Sequence, residues 1–344
     1  MAYTTIKKPS DYFNTNLYTG NNTETSHTGI GFQPDLTWLK VRNASGAHYW
    51  FDAVRGATNY IRSDNTAAEG TIAETLKSFD SDGYTVGTSN SVNTNGETMV
   101  GWNWLGANGT AANTDGSISS TVSASTTSGF SIVTYDGTGS AGATVGHGLG
   151  VAPSMILAKK MDGAASNWAV YHKSLGATKY LILNSTTASV TSNTRWNNVE
   201  PTSSVFTVGS SGDVNNNGET VVAYCFAEKK GYSKFGSYTG NGNADGTFVY
   251  TGFSPAFIIV KRTDGADHWT MYDNKRTPYN VNPNRLFPST NGAESTADSS
   301  YNVDLLSNGF KWRGTSTGTN TSGTYIYMAI AEEPLVGDNP ATAR

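Results

Sequence analysis

The chain has 344 residues, with 23 Lys+Arg against 27 Asp+Glu and only 15% charged residues. That balance, without any Lys/Arg run, counts against nucleic acid as the main ligand, and 11% aromatic residues exclude a disordered chain. No apolar run reaches the ~18 residues of a membrane span, so no membrane insertion is expected, and the start MAYTTIKKPS lacks the apolar core of a secretory signal.

One unit is read three times along the chain. The first copy runs Tyr18-Thr-Gly-Asn to Gly31-Phe-Gln-Pro34 and on to Lys40. The second runs Tyr135-Asp-Gly-Thr to Gly150-Val-Ala-Pro153 and Lys159, and the third Tyr238-Thr-Gly-Asn to Gly252-Phe-Ser-Pro255 and Lys261. In each, the proline precedes the lysine by six residues. A tryptophan follows at a similar distance (Trp50, Trp168, Trp269), then an aromatic–polar pair: Phe51-Asp52, Tyr171-His172, Tyr272-Asp273. Each copy closes on a small-residue turn into an apolar run: MVGWNW, VVAYCF or YIYMAI.

Short β-branched and aromatic segments such as Tyr180-Leu-Ile-Leu and Phe257-Ile-Ile-Val, punctuated by Gly, Asn, Asp, Ser and Pro, specify β structure. The repeated prolines read as residues at the start of a strand. Only Thr71-Ile-Ala-Glu-Thr-Leu-Lys suggests a helical turn. The expected fold is therefore all-β: three similar antiparallel β-sandwich units in tandem. Unit 1 spans 1–105 with an N-terminal arm, unit 2 spans 130–229 and unit 3 spans 230–344. The Gly/Ser/Thr-rich stretch 106–129 reads as a linker with one short edge strand at Ser117-Ile-Ser-Ser-Thr-Val. The tight join Glu228-Lys-Lys-Gly231 pairs units 2 and 3, with unit 1 held more loosely.

Motifs with chemical spelling are few. Gly137-Thr-Gly139-Ser-Ala-Gly142 has the glycines of a dinucleotide site but no helix after it. Asp213-Val-Asn215-Asn-Asn217-Gly218 alternates oxygen donors like a calcium loop, yet the twelfth position is Tyr224 where a bidentate Glu belongs. The competing reading is an Asn-Gly hairpin turn, and no other cofactor is expected. Cys225 is the only cysteine, which excludes an intrachain disulfide and a cysteine metal cage. Trp50, Trp168 and Trp269 read by default as sandwich core. The alternative is a surface platform on which a glycan stacks, with Asp52, His172 and Asp273 taking its hydroxyls. Glu228 and Glu332 recur singly at strand ends, so no acid pair marks a glycosidase and no enzyme is expected.

The segments DYFNTNLYTG, GFQPDLTWLKVR, FDAVRGA, AVYHKSLGATKYLILN, GSYTGNGNADGTFVYTGFSPAFIIVKR and YIYMAIAEEP resemble bacteriophage virion proteins common in marine and cyanobacterial phages, known as tail or structural proteins. The resemblance implies lectin-like β-sandwich domains in a virion component assembled in the host cytoplasm, and it carries over no catalytic residue. It leads to the expectation of a tail fibre or spike that attaches to a host-surface glycan or protein by multivalent binding, beside other virion proteins. A homotrimer is expected by analogy. The alternatives are a head decoration protein and, further off, a polysaccharide-degrading enzyme.

Overall fold

The computed structural model describes residues 4–342. Strand accounts for 41% and helix for 4%, and the chain is all-β: three antiparallel sandwich units in tandem.

Each unit pairs a large sheet with a small one. In unit 1 the large sheet runs, in spatial order, Phe13–Thr19, Thr98–Trp104, Leu36–Val41, Tyr49–Asp52, Asn59–Arg62 and Gly70–Thr71. Its small sheet is Thr25–His27, Gly83–Val86 and Leu76–Asp80. Unit 3 repeats the plan with Ser233–Thr239, Thr324–Pro334, Phe253–Arg262 and Thr270–Asp273 over Phe248–Tyr250, Gly309–Trp312 and Val303–Leu306. In unit 2, Phe130–Asp136, Thr220–Phe226, Met155–Lys160, Ala169–His172, Lys179–Ile182 and Val190–Thr191 face the pair Ala143–Gly146 and Val205–Val208.

The stretch expected to be a linker is part of the fold. Ala111–Asn113 and Ser120–Ser125 extend the large sheet of unit 2 beyond Phe130–Asp136, in continuous register from Ser120 opposite Tyr135 to Ser125 opposite Phe130. Serine and threonine alternate with Val122 and Ala124 there, so the sequence reads as polar coil although every second side chain faces the sheet's own core. Of the helical turn expected at Thr71 only one tight turn forms, closed by Thr75 N–H on the Ile72 carbonyl, and Leu76–Asp80 is a strand. Pro34 and Pro153 stand just ahead of their strands. Pro255 lies inside Phe253–Arg262 at a register shift, where a bulge removes the need for its missing N–H.

The Tyr-x-Gly motif explains itself. The Tyr18, Tyr135 and Tyr238 hydroxyls donate to the carbonyls of Val92, Val214 and Thr319 at 2.6, 2.7 and 2.6 Å. Two residues on, a Cβ on Gly20, Gly137 or Gly240 would overlap the carbonyl of Thr94, Asn216 or Thr321, so only glycine fits.

Four apolar clusters fill the molecule. Three lie between the sheets of one unit each, around Tyr84 and Leu39, around Phe206 and Tyr171, and around Phe310 and Trp312. The fourth and largest draws Trp38, Trp102, Leu157, Trp168, Phe257 and Met328 from all three units. Each large sheet is thus buried on both faces, which is why Leu36–Val41, Met155–Lys160 and Phe253–Lys261 are buried at every position. The loose attachment expected for unit 1 is not found, because its sheet carries a full share of that common core.

Candidate functional site

The three units close into a ring, shown by hydrogen bonds that repeat at equivalent positions. Two residues beyond each repeated lysine, a carbonyl accepts from the neighbouring unit. Glu69 N–H reaches Met161 at 2.7 Å, Ser189 reaches Thr263 at 2.9 Å and Glu294 reaches Arg42 at 2.7 Å. A second set joins Ser166 to Thr66, Asp267 to Thr186 and Gly46 to Asn291. Unit 2 thereby holds unit 1, unit 3 holds unit 2, and unit 1 holds unit 3, around one pseudo-threefold axis.

The residues proposed for a glycan platform all lie in this ring, and none is more than 1% exposed. The platform reading is therefore overturned: a sugar has no access to Trp50, Asp52, Trp168, His172, Trp269 or Asp273. Trp168 Nε1 donates to the Arg62 carbonyl of unit 1 and Trp269 Nε1 to the Ile182 carbonyl of unit 2, both at 2.9 Å. Trp50 is not their counterpart. Asp52, His172 and Asp273 pair with Leu36, Met155 and Phe257, each four residues before its unit's lysine, which puts His48 in the place of Trp168 and Trp269. The His48 ring is turned to the Phe287 backbone of unit 3 but forms no bond of normal geometry there. Asp52 accepts from Tyr224 Oη at 2.6 Å, Asp273 from Trp102 Nε1 at 3.0 Å, and His172 Nε2 meets the Tyr327 carbonyl at 3.1 Å, each across a unit boundary.

Charge is handled differently at the three boundaries. Asp52–Arg55–Glu69 and Asp273–Arg276–Glu294 are buried ion clusters with Nε–Oδ2 distances of 2.5 Å, and the second also takes in Arg42. In unit 2 the same positions are His172, Leu175 and Ser189, without a formal charge. The lysines of the repeat, Lys40, Lys159 and Lys261, are fully buried, and desolvation lowers each to about 8. Lys159 and Lys261 donate to Thr66 and Thr186 of the neighbouring unit at 3.1 and 3.2 Å. These ammonium groups therefore act as inter-unit staples.

All five histidines are shifted down, chiefly by burial, with His27 and His172 lowered to about 4. His172 Nδ1 accepts from Ser174 N–H while Nε2 faces a carbonyl, an arrangement that needs the neutral ring. A base held below its unfolded pKa binds fewer protons folded than unfolded, so stability is intact above about 6.5 and falls as the pH drops toward 4. The urea midpoint is expected to be clearly lower at pH 5 than at pH 7, and a His172→Gln variant to show a shallower decline. An unchanged midpoint would contradict the assignment.

Two of the three side chains of the calcium reading are engaged elsewhere. Asn215 is buried, and its amide donates to Ser140 and Gly209 carbonyls while Oδ1 accepts from Thr138. Asn93 and Asn320 do the same in the other units, tying the Tyr-x-Gly loop to a short turn. Asp213 is ion-paired with Arg195, and Asn217 lies on the exposed rim. Among the described residues no group of three or more His, Cys, Asp or Glu side chains gathers to hold a metal ion. Nor is Asn-Gly a hairpin turn: Thr98–Trp104 and Thr220–Phe226 pair within the large sheets, away from the small-sheet strands that precede them. Cys225 is buried in the core of unit 2, and burial pushes its thiol up.

The boundary between units 3 and 1 has no covalent connection and leaves a cavity of about 260 Å³ lined by Phe13, Thr15, Asn274, Lys275, Glu332 and Glu333. Burial raises Glu333. Elsewhere the chain itself fills the corner: Asp35 accepts from Gly106 and Asn108 N–H, and Glu228 bridges Lys173 and Lys234.

A family described as a domain of unknown function, DUF7483, matches residues 8–334. The chain belongs to this family. One profile thus runs through all three units, consistent with a ring whose common core needs every member. No curated protein matches the chain.

Proposed function

We propose that the chain is a bacteriophage virion structural protein of tail fibre or spike type, seated on a threefold axis and contacting the host surface by multivalent binding. The observation that carries this reading is the ring: three related units, bonded cyclically at equivalent positions, present related edges around one axis. A single chain with that geometry matches a threefold-symmetric partner, so one copy per axis is proposed in place of a homotrimer. Several copies on one particle strengthen a weak contact by factors of roughly 10² to 10⁴. The common interior, with indole and hydroxyl groups bonded from unit to unit, suits a rigid mechanical part.

The same ring favours a second reading, a decoration protein placed singly over a threefold site of the head. Electron cryomicroscopy of intact particles separates the two: a handful of copies at the tail supports attachment, whereas hundreds on the head would replace it with decoration. Release of new reducing ends from host polysaccharide would instead establish an enzyme.

A further inference from the structure

The outward faces of the small sheets provide an internal comparison. Gly83 approaches the His27 carbonyl and Gly309 the Val249 carbonyl so closely that neither position accepts a Cβ, which fixes the register between units 1 and 3. Phe248 then corresponds to Ser26 and Tyr250 to Thr28, and the pair in unit 2 is Thr144 and Gly146. In unit 1 this face is a hydroxyl network: Ser26 Oγ lies 2.7 Å from Thr85 Oγ1, which donates to Asp80. In unit 3 it carries two rings, Phe248 at 44% and Tyr250 at 55% exposure.

The two sister units carry no aromatic at these outward positions (Ser26 and Thr28, Thr144 and Gly146), so folding does not require them. Exposed rings on an edge strand are an aggregation hazard that proteins normally remove. Their surroundings identify what they meet. Phe248 stands opposite Lys311, and Lys311 opposite Asp304, while the edge of the Phe248 ring lies close over Gly309. Lys311 Nζ lies 2.5 Å from Asp245, and Arg313 Nε 2.5 Å from Asp304. Beside Phe248 two cations and two carboxylates cancel, and Tyr250 borders Glu228, Lys230 and Lys234, so the face offers apolar rings and strong hydrogen-bonding groups.

We infer that this face of unit 3 binds a neutral saccharide, whose C–H surfaces lie on Phe248 and Tyr250 and whose hydroxyls meet Asp245, Lys311 and Arg313. A second copy of the chain is a poorer occupant. A three-residue edge strand with two rings falls well short of the ~800 Å² per partner of a stable interface, and the flanking charges oppose strand addition. The inference deepens the attachment reading and takes its biological sense from it.

The test uses ¹³C-aromatic NMR of the full chain titrated with neutral hexamers of α-glucan, β-glucan, mannan and galactan. At least one is expected to shift the Phe248 and Tyr250 rings saturably. Phe248→Ser with Tyr250→Thr, the residues of unit 1, is expected to weaken binding at least tenfold with an unchanged urea midpoint. Should the double variant unfold, Tyr250→Thr alone carries the comparison. No saturable shift with any hexamer, equal affinity in the variant, or ring shifts that follow protein concentration instead of sugar would overturn the inference. A chain located at the tail but failing these tests keeps the attachment role and loses only this ligand.

Discussion

Asp273→Ala is expected to lower the unfolding free energy by about 3–5 kcal/mol, the usual loss when one member of a buried ion pair is removed. Arg276 would remain fully buried with only Glu294 to balance it, and the Trp102 indole and two backbone N–H groups would lose their acceptor. Asp52→Ala should cost a similar amount, since it strands Arg55 in the same way. His172→Ala at the third equivalent position leaves no charge behind and should cost less, about 1–3 kcal/mol for the buried partners it orphans. Urea unfolding of the three variants decides the matter. Equal losses at all three positions would show that packing, not charge, governs these boundaries.

Unit 2 expressed alone with its two added strands, residues 106–229, is expected not to fold. Excision exposes the whole face bearing Leu157, Trp168, Val170, Leu181 and Tyr224, an apolar area far larger than a soluble monomer normally presents. It also leaves Lys159 without the Thr66 carbonyl. The intact chain should lose its β signal and its tryptophan burial in one urea transition, because the largest core belongs to no single unit. A monomeric, cooperatively unfolding unit 2, or three separate transitions, would contradict this.

These two expectations also measure how far the sequence could be read. The triplication and the β character were legible from the Pro–Lys spacing and the turn residues. The ring was not, although a signal was present. Strands such as Phe257-Ile-Ile-Val and Tyr325-Ile-Tyr-Met are continuously apolar, the mark of a sheet covered on both faces, whereas a free-standing sandwich alternates. The second cover is the neighbouring unit. Trp50 was aligned with Trp168 and Trp269 by its letter, but strand register puts it two residues away, and His48 occupies their place. Of the polar strand Ser120–Ser125 only Ser120-Thr-Val was anticipated, and the rest passed for a linker because its inward positions are small.

The rings of unit 3 escaped for a related reason. Ser26 precedes Pro34 by eight residues, whereas Phe248 precedes Pro255 by seven, so counting from the proline never sets them side by side. Only the shared glycine contact aligns them. The buried Asn93, Asn215 and Asn320 were likewise scattered among turn letters, and the contacts of their amides show them to be one device repeated.

The open boundary between units 3 and 1 has a topological consequence. Lys7 and Asp338 approach within 3.8 Å there, so the segment ahead of unit 1 and the segment after unit 3 meet at one corner of the ring. A short peptide sewn across that corner, with a fresh break made at Asn108 or Lys230, would give a circularly permuted chain in which another unit leads. Since each interface is rebuilt from the same contacts, which unit comes first is a matter of genetic order and not of architecture.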